Sequence, residues 1–133
     1  MKKALFVLGC MMSSVAFAQA PIEVTVVGPG GHSNGDYGNV NAVHAASNII
    51  VKLNSLEPKL QAIDFAGGNS VNSIAGDASF KVVVPEGMKR EAAMEIVKKA
   101  ARHGVDMENK FRGIKAGQKN SDGVDISVRY QMK

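Results

Sequence analysis

Apolar residues recur along this chain with two different periods, and the changes of period predict its elements. Apolar and polar residues alternate from Ile22 to Val26, which is the pattern of a half-buried strand. Beyond a glycine-rich loop the apolar residues are spaced three or four apart, which predicts an amphipathic helix capped by Asn39 or Asn41. The stripe of this helix is Ala42, Ala46, Ile49, Leu53 and Leu56, with Ile50 beside it.

The second half of the chain repeats the two patterns in a different order. It predicts strands at 60–65 and 79–84, a helix at 88–103 with Gly104 as its C-cap, a mobile polar connection at 106–123 and a strand at 124–132. In the last strand the residues expected to face the core are Val124, Ile126, Val128, Tyr130 and Met132.

The order of these elements, β-α-β-β-α-β, is that of the split βαβ or ferredoxin-like arrangement. Both crossovers should be right-handed, which packs both amphipathic helices on one face of a four-stranded antiparallel sheet. We therefore predict an α+β two-layer sandwich whose second sheet face stays open. Because this arrangement hosts many unrelated functions, it names none by itself.

The first eighteen residues have the layout of a secretory signal peptide. A basic start at Lys2 and Lys3 precedes a short apolar run, and Ala16-Phe17-Ala18 supplies small residues where a signal peptidase reads. The apolar run is far shorter than the roughly 20 residues of a membrane span. We predict cleavage after Ala18 and a periplasmic or secreted domain at 19–133, the alternative being lipoprotein processing at Cys10.

Cleavage at that point changes the composition in two useful ways. Of the 133 residues 115 would remain, with 14 basic against 12 acidic side chains, and this small excess predicts neither nucleic-acid binding nor an anionic membrane partner. The single cysteine, Cys10, would be lost, so the domain must fold on its apolar core without a disulfide.

The loop after the first strand holds the most unusual local sequence, Gly28-Pro29-Gly30-Gly31-His32-Ser33. It lacks the G-x-G-x-x-G and P-loop patterns, so it is either a turn that needs positive φ or a loop that presents His32 to a ligand. The spacing of His32, Asp36 and His44 matches no standard zinc pattern. Ser33 with His32 and Asp36 has the residue types of a nucleophilic triad, but adjacent residues rarely place nucleophile and base within hydrogen-bond reach. We therefore predict no metal site, no cofactor and no catalytic residue here. His44 should be a solvated helix residue and His103 should lie in a last helical turn.

A second polar loop, residues 67–74, joins the second and third strands. It is long for a hairpin, and Asn69 and Asn72 offer donors and acceptors, although an Asx-rich turn would explain them as well. RNA binding on the sheet would call for exposed aromatic residues with a basic motif, and the sequence has none.

Together these two loops resemble the lid, or dimerisation, domain of the M20 family of zinc peptidases. The first motif is Gly30–Asp36 followed by Gly38–Ala42, and the second is Ile63–Gly68 followed by Val71–Ile74. Their form is most similar to the aminoacyl-histidine (cytosolic non-specific) dipeptidase branch, and the resemblance spans Ile22–Lys133.

The resemblance implies roles for particular residues. The lid histidine at the position of His32 reaches an active site, often of the opposite subunit, where it binds the substrate carbonyl and the developing oxyanion. The asparagine at Asn72 helps to hold the substrate or its terminal carboxylate, and Ala75 replaces a proline usual in the family. The loop glycines of the two motifs are Gly30, Gly31, Gly67 and Gly68.

The family's zinc ligands and general base lie in a separate catalytic domain, so we expect no hydrolysis by this chain alone. The first hypothesis is an exported, non-catalytic module that forms a homodimer through an edge strand and the adjoining helix, or binds peptide-like ligands. The second is a lid subunit that completes a metallo-dipeptidase whose zinc-bearing catalytic domain is a separate chain. The third is an evolutionary remnant or an unrelated interaction protein.

Overall fold

The computed structural model describes residues 19–36 and 38–133. It contains six strands and two helices in this part of the chain. In chain order these are β1 Ile22–Val27, β2 Gly31–His32, α1 Ala42–Ser55, β3 Ala62–Gly67, β4 Ser73–Ile74, β5 Asp77–Val82, α2 Arg90–Phe111 and β6 Arg129–Met132. The predicted signal peptide lies outside the described residues, and no described helix has the length and apolarity to span a bilayer.

The main sheet has four antiparallel strands in the order β3-β5-β1-β6, which confirms the predicted two-layer arrangement. β1 lies at its centre, and alternate residues of β1 face the helices. Ile22, Val24 and Val26 are fully buried, whereas Glu23 and Thr25 between them face the open side. Phe80 of β5 lies opposite Val24 in the register and fills the middle of the core.

Helix α1 forms where the sequence predicts it. The side chain of Asn41 accepts hydrogen bonds from the backbone N–H groups of Val43 and His44, which settles the choice of cap in favour of Asn41 over Asn39. Four of the predicted stripe residues are fully buried: Ala42, Ala46, Ile49 and Leu53. The helix ends at Ser55, just before Pro58 would interrupt it.

Helix α2 ends about two turns later than predicted, at Phe111, and the proposed C-cap at Gly104 is wrong. Gly104 is a buried residue inside the helix, where a Cβ would lie 2.3 Å from Cγ1 and 2.6 Å from the backbone nitrogen of Ile49. The glycine therefore permits the close crossing of α1 and α2 rather than ending a helix. His103 is correspondingly a mid-helix residue, and 106–111 is helix rather than mobile connection.

Three strands of the main sheet also differ from the prediction. β3 and β5 each lie about two residues from their predicted places, and a bulge interrupts β3 between Ile63 and Ala66, with Asp64 at a φ of 55°. β6 begins only at Arg129, so Val124 is 54% exposed instead of facing the core. Val128, just before the strand, is buried as predicted.

The segment before β6 is held by buried polar groups, which the alternation of apolar residues did not reveal. The side-chain amide of Asn109 donates to the carbonyl of Val128 at 3.0 Å, and its oxygen accepts from the N–H of Val128 at 2.8 Å. Ser127 is buried as well and donates its hydroxyl hydrogen to Asp125. These bonds satisfy backbone groups that strand pairing would otherwise satisfy, so the strand starts late.

Candidate functional site

The two loops that the sequence singled out meet in space, at the end of the sheet where β1 finishes. β2 and β4 pair as a short antiparallel ribbon in which Gly31 lies opposite Ile74 and His32 opposite Ser73. The N–H of Ser33 donates to the carbonyl of Asn72 at 2.9 Å and extends the ribbon by one bond. His32 and Asn72 are 40 positions apart in sequence and become neighbours only through this pairing.

The side chains of His32 and Asn72 are in contact and both are exposed to solvent. Nδ2 of Asn72 lies 3.5 Å from Nε2 of His32. The hydroxyl of Ser70 donates to Oδ1 of Asn72 at 2.8 Å, which fixes the amide so that its NH2 group faces the imidazole. The N–H of Asn34 donates to Nδ1 of His32 at 3.4 Å, and in the neutral tautomer that accepts this bond the ring proton is on Nε2.

This assignment makes both facing atoms hydrogen-bond donors. The N–H at Nε2 of His32 and the NH2 group of Asn72 cannot satisfy one another, since neither nitrogen offers a free acceptor in that state. An oxygen placed between them would accept from both. The arrangement is thus suited to a carbonyl or carboxylate oxygen, and it leaves the two donors open to solvent rather than buried.

A tight turn around His32 holds its backbone in place. Oδ2 of Asp36 accepts from the N–H of His32 at 2.8 Å, and the carbonyl of His32 accepts from the N–H groups of Gly35 and Asp36. A Cβ on residue 31 would lie only 2.7 Å from Cβ of Asp36, so the second glycine of the predicted motif lets this turn close. Asp36 positions the loop and does not meet the ring nitrogens of His32.

The loop that carries Asn72 is fixed to the rest of the domain at both ends. Gly67 completes β3, and Gly68 follows at a φ of 74°. The carbonyl of Ala75, which occupies the position of the family's usual proline, accepts from the N–H of Ala42 at the start of α1. The role of Ser70 in orienting Asn72 was not predicted from the sequence. A serine two residues before an asparagine, within reach of its side chain, could have indicated it.

His44 and the buried carboxylate of Glu108 lie apart from this ribbon. His44 is exposed on α1, as predicted, and its Nδ1 lies 3.9 Å from Oε2 of Glu108. Oε1 of Glu108 accepts from the N–H of Asn41 at 2.8 Å and from Nε of Arg112 at 3.2 Å. Glu108 thereby joins the end of α2 to the start of α1, a role that sequence periodicity did not predict.

Within residues 19–36 and 38–133 no group of three or more His, Cys, Asp or Glu side chains is arranged to hold a metal ion. His32, Asp36 and His44, whose spacing matches no zinc pattern, contact other groups. Asp36 binds the backbone of its own turn, and His44 contacts Glu108.

Solved structures with the same fold come from larger proteins. An aminobenzoyl-glutamate utilization protein from Klebsiella pneumoniae superposes with a TM-score of 0.60 at 16% identity, over 87% of this chain and 27% of its own. For an aminoacylhistidine dipeptidase from Vibrio alginolyticus the TM-score is 0.56 at 18% identity, over 86% of this chain and 22% of its own. For aminopeptidase PepT from Bacillus cereus the TM-score is 0.51 at 18% identity, over 87% of this chain and 29% of its own.

The chain thus spans about a quarter of the length of these similar structures. At such low identity they establish the fold alone. No curated protein sequence matches the chain. The family model described as the peptidase dimerisation domain of the M20 peptidases matches residues 17–106, which is more than half of the sequence. The chain therefore belongs to the family of M20 peptidase dimerisation domains.

Proposed function

We propose that this chain is an exported, non-catalytic dimerisation module that self-associates and binds peptide-like ligands through His32 and Asn72. The observation that carries the ligand role is the convergence of two hydrogen-bond donors, Nε2 of His32 and Nδ2 of Asn72, on one solvent-facing point. A peptide ligand supplies carbonyl and carboxylate oxygens, which are acceptors and match two donors.

The ribbon geometry supports this role because it prepares the donors before any ligand arrives. Ser70 orients the amide of Asn72, and the turn closed by Asp36 holds His32. Preorganised donors lose little conformational freedom when they bind. Because both groups are exposed to water, we expect weak, millimolar binding, which corresponds to a free energy of about 4 kcal/mol.

A titration with the dipeptide alanyl-histidine, followed by NMR chemical shifts of the backbone amides, tests the ligand role. We expect shifts centred on residues 31–34 and 70–73, and their loss in His32→Ala and in Asn72→Ala. Asn69→Ala is the matched control, since Asn69 is an exposed asparagine of the same loop outside the ribbon. His32→Ala should change the free energy of unfolding by less than about 0.5 kcal/mol. A loss above roughly 2 kcal/mol would mean that His32 is structural.

The β3 edge, together with the outer side of α1, supports self-association better than the β6 edge does. Four α1 residues at helical spacing, Val43, Ser47, Ile50 and Asn54, form a stripe without charge on the side of β3. Val51 beside them is 68% exposed, and Phe65 of β3 is 44% exposed. Uncovered strand edges and exposed apolar residues favour pairing with a second copy. Sedimentation equilibrium over a range of concentrations tests this, since a chain that stays monomeric at 100 μM would contradict it.

Export is supported by the sequence of residues 1–18. Expression in a Gram-negative host, followed by periplasmic fractionation and N-terminal sequencing, tests the proposal. We expect a mature protein that begins at Gln19. A protein that stays in the cytoplasm and keeps Met1 contradicts export, and a mature chain that begins at a lipid-modified Cys10 supports the lipoprotein alternative.

The alternative function is that of a lid subunit completing a metallo-dipeptidase whose catalytic domain is a separate chain. It is favoured by the similar structures, which are roughly four times the length that this chain covers. Co-purification of the tagged chain from its native compartment distinguishes the two. Stoichiometric recovery of a zinc-bearing M20 chain would establish the subunit role, whereas recovery of this chain alone would favour the self-associating module. The purified chain with added zinc should show no dipeptidase activity under either hypothesis.

A further inference from the structure

A shallow groove lies between the first half of α1 and the last two turns of α2, apart from the His32–Asn72 ribbon. Its volume is about 360 Å³, and it is lined by His44, Ser47 and Asn48 on one side and by Met107, Glu108 and Phe111 on the other. Sites for small molecules span roughly 300–1,000 Å³ and are largely enclosed. This groove is open and near the lower limit, so it suits the anchor side chains of a larger partner.

The α2 wall of the groove offers apolar surface. Met107 is 47% exposed and Phe111 76% exposed, and because they are four residues apart they lie side by side on the helix. The guanidinium carbon of Arg112 lies 5.0 Å from the centroid of the Phe111 ring, a cation–π contact that helps to hold the ring at the surface. Large apolar side chains exposed together in this way indicate an interaction surface.

The rim of the groove carries an excess of positive charge. On α2 Lys110 lies three residues from Met107, and on α1 Lys52 lies one turn beyond Asn48. Asp106 of α2 supplies the opposing charge. The other nearby carboxylate, Glu108, is buried and already paired with Arg112. A second copy of this chain would bring like charges together, whereas an acidic partner would complement them.

We infer that this groove docks an amphipathic segment of a partner protein, in which two apolar anchor side chains are flanked by aspartate or glutamate. The anchors contact Met107 and Phe111, and the acidic residues lie against the lysines of the rim. The donors of Asn48, whose side chain makes no hydrogen bond within the described residues, face the same segment. This is recognition of a helix in a groove, with apolar anchors for affinity and charge for specificity.

Two labelled peptides and the full chain test the inference by fluorescence anisotropy. Both peptides are 16-residue amphipathic helices with the same leucine face; one carries glutamate at the flanking positions and the other lysine. We expect the glutamate peptide to bind, its affinity to fall when salt is raised from 50 to 500 mM, and the lysine peptide not to bind. Phe111→Ser should weaken binding at least about tenfold, whereas Val124→Ser, at another exposed apolar site, should leave it unchanged.

Other outcomes overturn the inference. No binding of the glutamate peptide, equal binding of both peptides, or an unchanged affinity in Phe111→Ser would each exclude an acidic segment at this groove. If instead Phe111→Ser abolishes sedimentation with vesicles containing anionic lipid, or dissociates a dimer of the chain, then the groove contacts a membrane or a second copy. His32→Ala should bind the peptide normally, so failure here and failure of the ligand role at His32 are distinguishable.

Discussion

The two edges of this domain are built from the same kinds of element, a strand and a helix above it, but they differ in what they expose. At the β3 edge the flanking helix is α1, whose outer stripe of Val43, Ser47, Ile50 and Asn54 carries no charge. At the β6 edge the flanking helix is α2, where Lys98 and Arg102 share the face of the buried Asn109. Arg129 of β6 itself adds a further cation, paired with Asp125 at 3.5 Å.

The edges differ as well in how they are held. β6 has four residues, and the segment before it is tied to α2 through Asn109 and Val128. β3 has six residues and a bulge at Asp64, and its flanking helix exposes Val51 and part of Ile50. Charge and a short length close the β6 edge against pairing. At the β3 edge the outer stripe of α1 is uncharged, and the one charged side chain of β3, Asp64, is paired with Lys81 at 3.3 Å. Self-association should therefore involve the β3 edge, and stability should depend on the β6 edge.

The largest expected effect is at the β6 edge. Val128→Asp places a charge at a position that is 2% exposed and whose backbone is bonded to the side chain of Asn109. The variant should therefore be unfolded at 25 °C and show no cooperative unfolding transition on heating. Thermal unfolding followed by circular dichroism measures this. Val124→Asp, four residues earlier and 54% exposed, is the control and should change the free energy of unfolding by less than about 0.5 kcal/mol. A normal melting curve for Val128→Asp would refute the assigned burial.

The next largest effect is expected at the contact between α1 and α2, which joins the two sides of the domain. Gly104→Ala forces a Cβ against the backbone of Ile49, which cannot move without separating α1 from α2. Overpacking of this kind costs about 1–3 kcal/mol, beyond the roughly 1 kcal/mol that alanine gains over glycine in a helix. Urea unfolding should therefore show a net loss of stability. Gly35→Ala, where no atom lies within 4 Å of the added carbon, should show none.

A smaller change in folding but a clear change in assembly is expected at the β3 edge. Val51→Asp puts a charge on the uncharged α1 surface at a residue that is 68% exposed, so the fold should persist while the dimer weakens at least about tenfold. Sedimentation velocity at several concentrations measures the shift. Arg102→Asp, on the face of α2 toward the other edge, should leave self-association unchanged. The reverse result would assign the interface to β6.

The smallest effect is a pH dependence at Asp125. The hydroxyl of Ser127 and then its N–H donate to this carboxylate and lower its pKa below the ordinary value of 3.8. A lowered pKa contributes stability above that value, and the contribution is lost as the pH falls through the folded-state pKa. Asp125→Asn should thus be less stable than the wild type at pH 7, and the difference in stability should shrink as the pH falls below 3.8. Urea unfolding across this range measures it, and a constant gap would contradict the assigned role.

The ends of the helices and strands show how much of the fold could be predicted from the sequence. Alternation and helical spacing predicted all four strands of the main sheet and both helices, because burying one face requires those periods. They failed at Gly104, where a glycine that looked like a helix end serves a close helix crossing. They failed again at Val124, because the side chain of Asn109 forms hydrogen bonds with the backbone N–H and carbonyl of Val128, and β6 begins only at Arg129. Such tertiary bonds have no local signal.

The residues of the candidate site were named from sequence motifs, whereas their arrangement is visible only in the folded structure. The glycine-rich motif and the asparagine loop named His32 and Asn72, while the pairing of β2 with β4, the orienting bond from Ser70 and the support by Asp36 appear only when the chain is folded. The sequence by itself determined the element order, the core face of β1 and α1, and the motifs of an M20 dimerisation domain, because these follow from short-range spacing. Only the tertiary structure decided which sheet edge lies beside the uncharged stripe of α1, where α2 ends and how two loops 40 residues apart present converging donors, because those properties depend on contacts between distant segments.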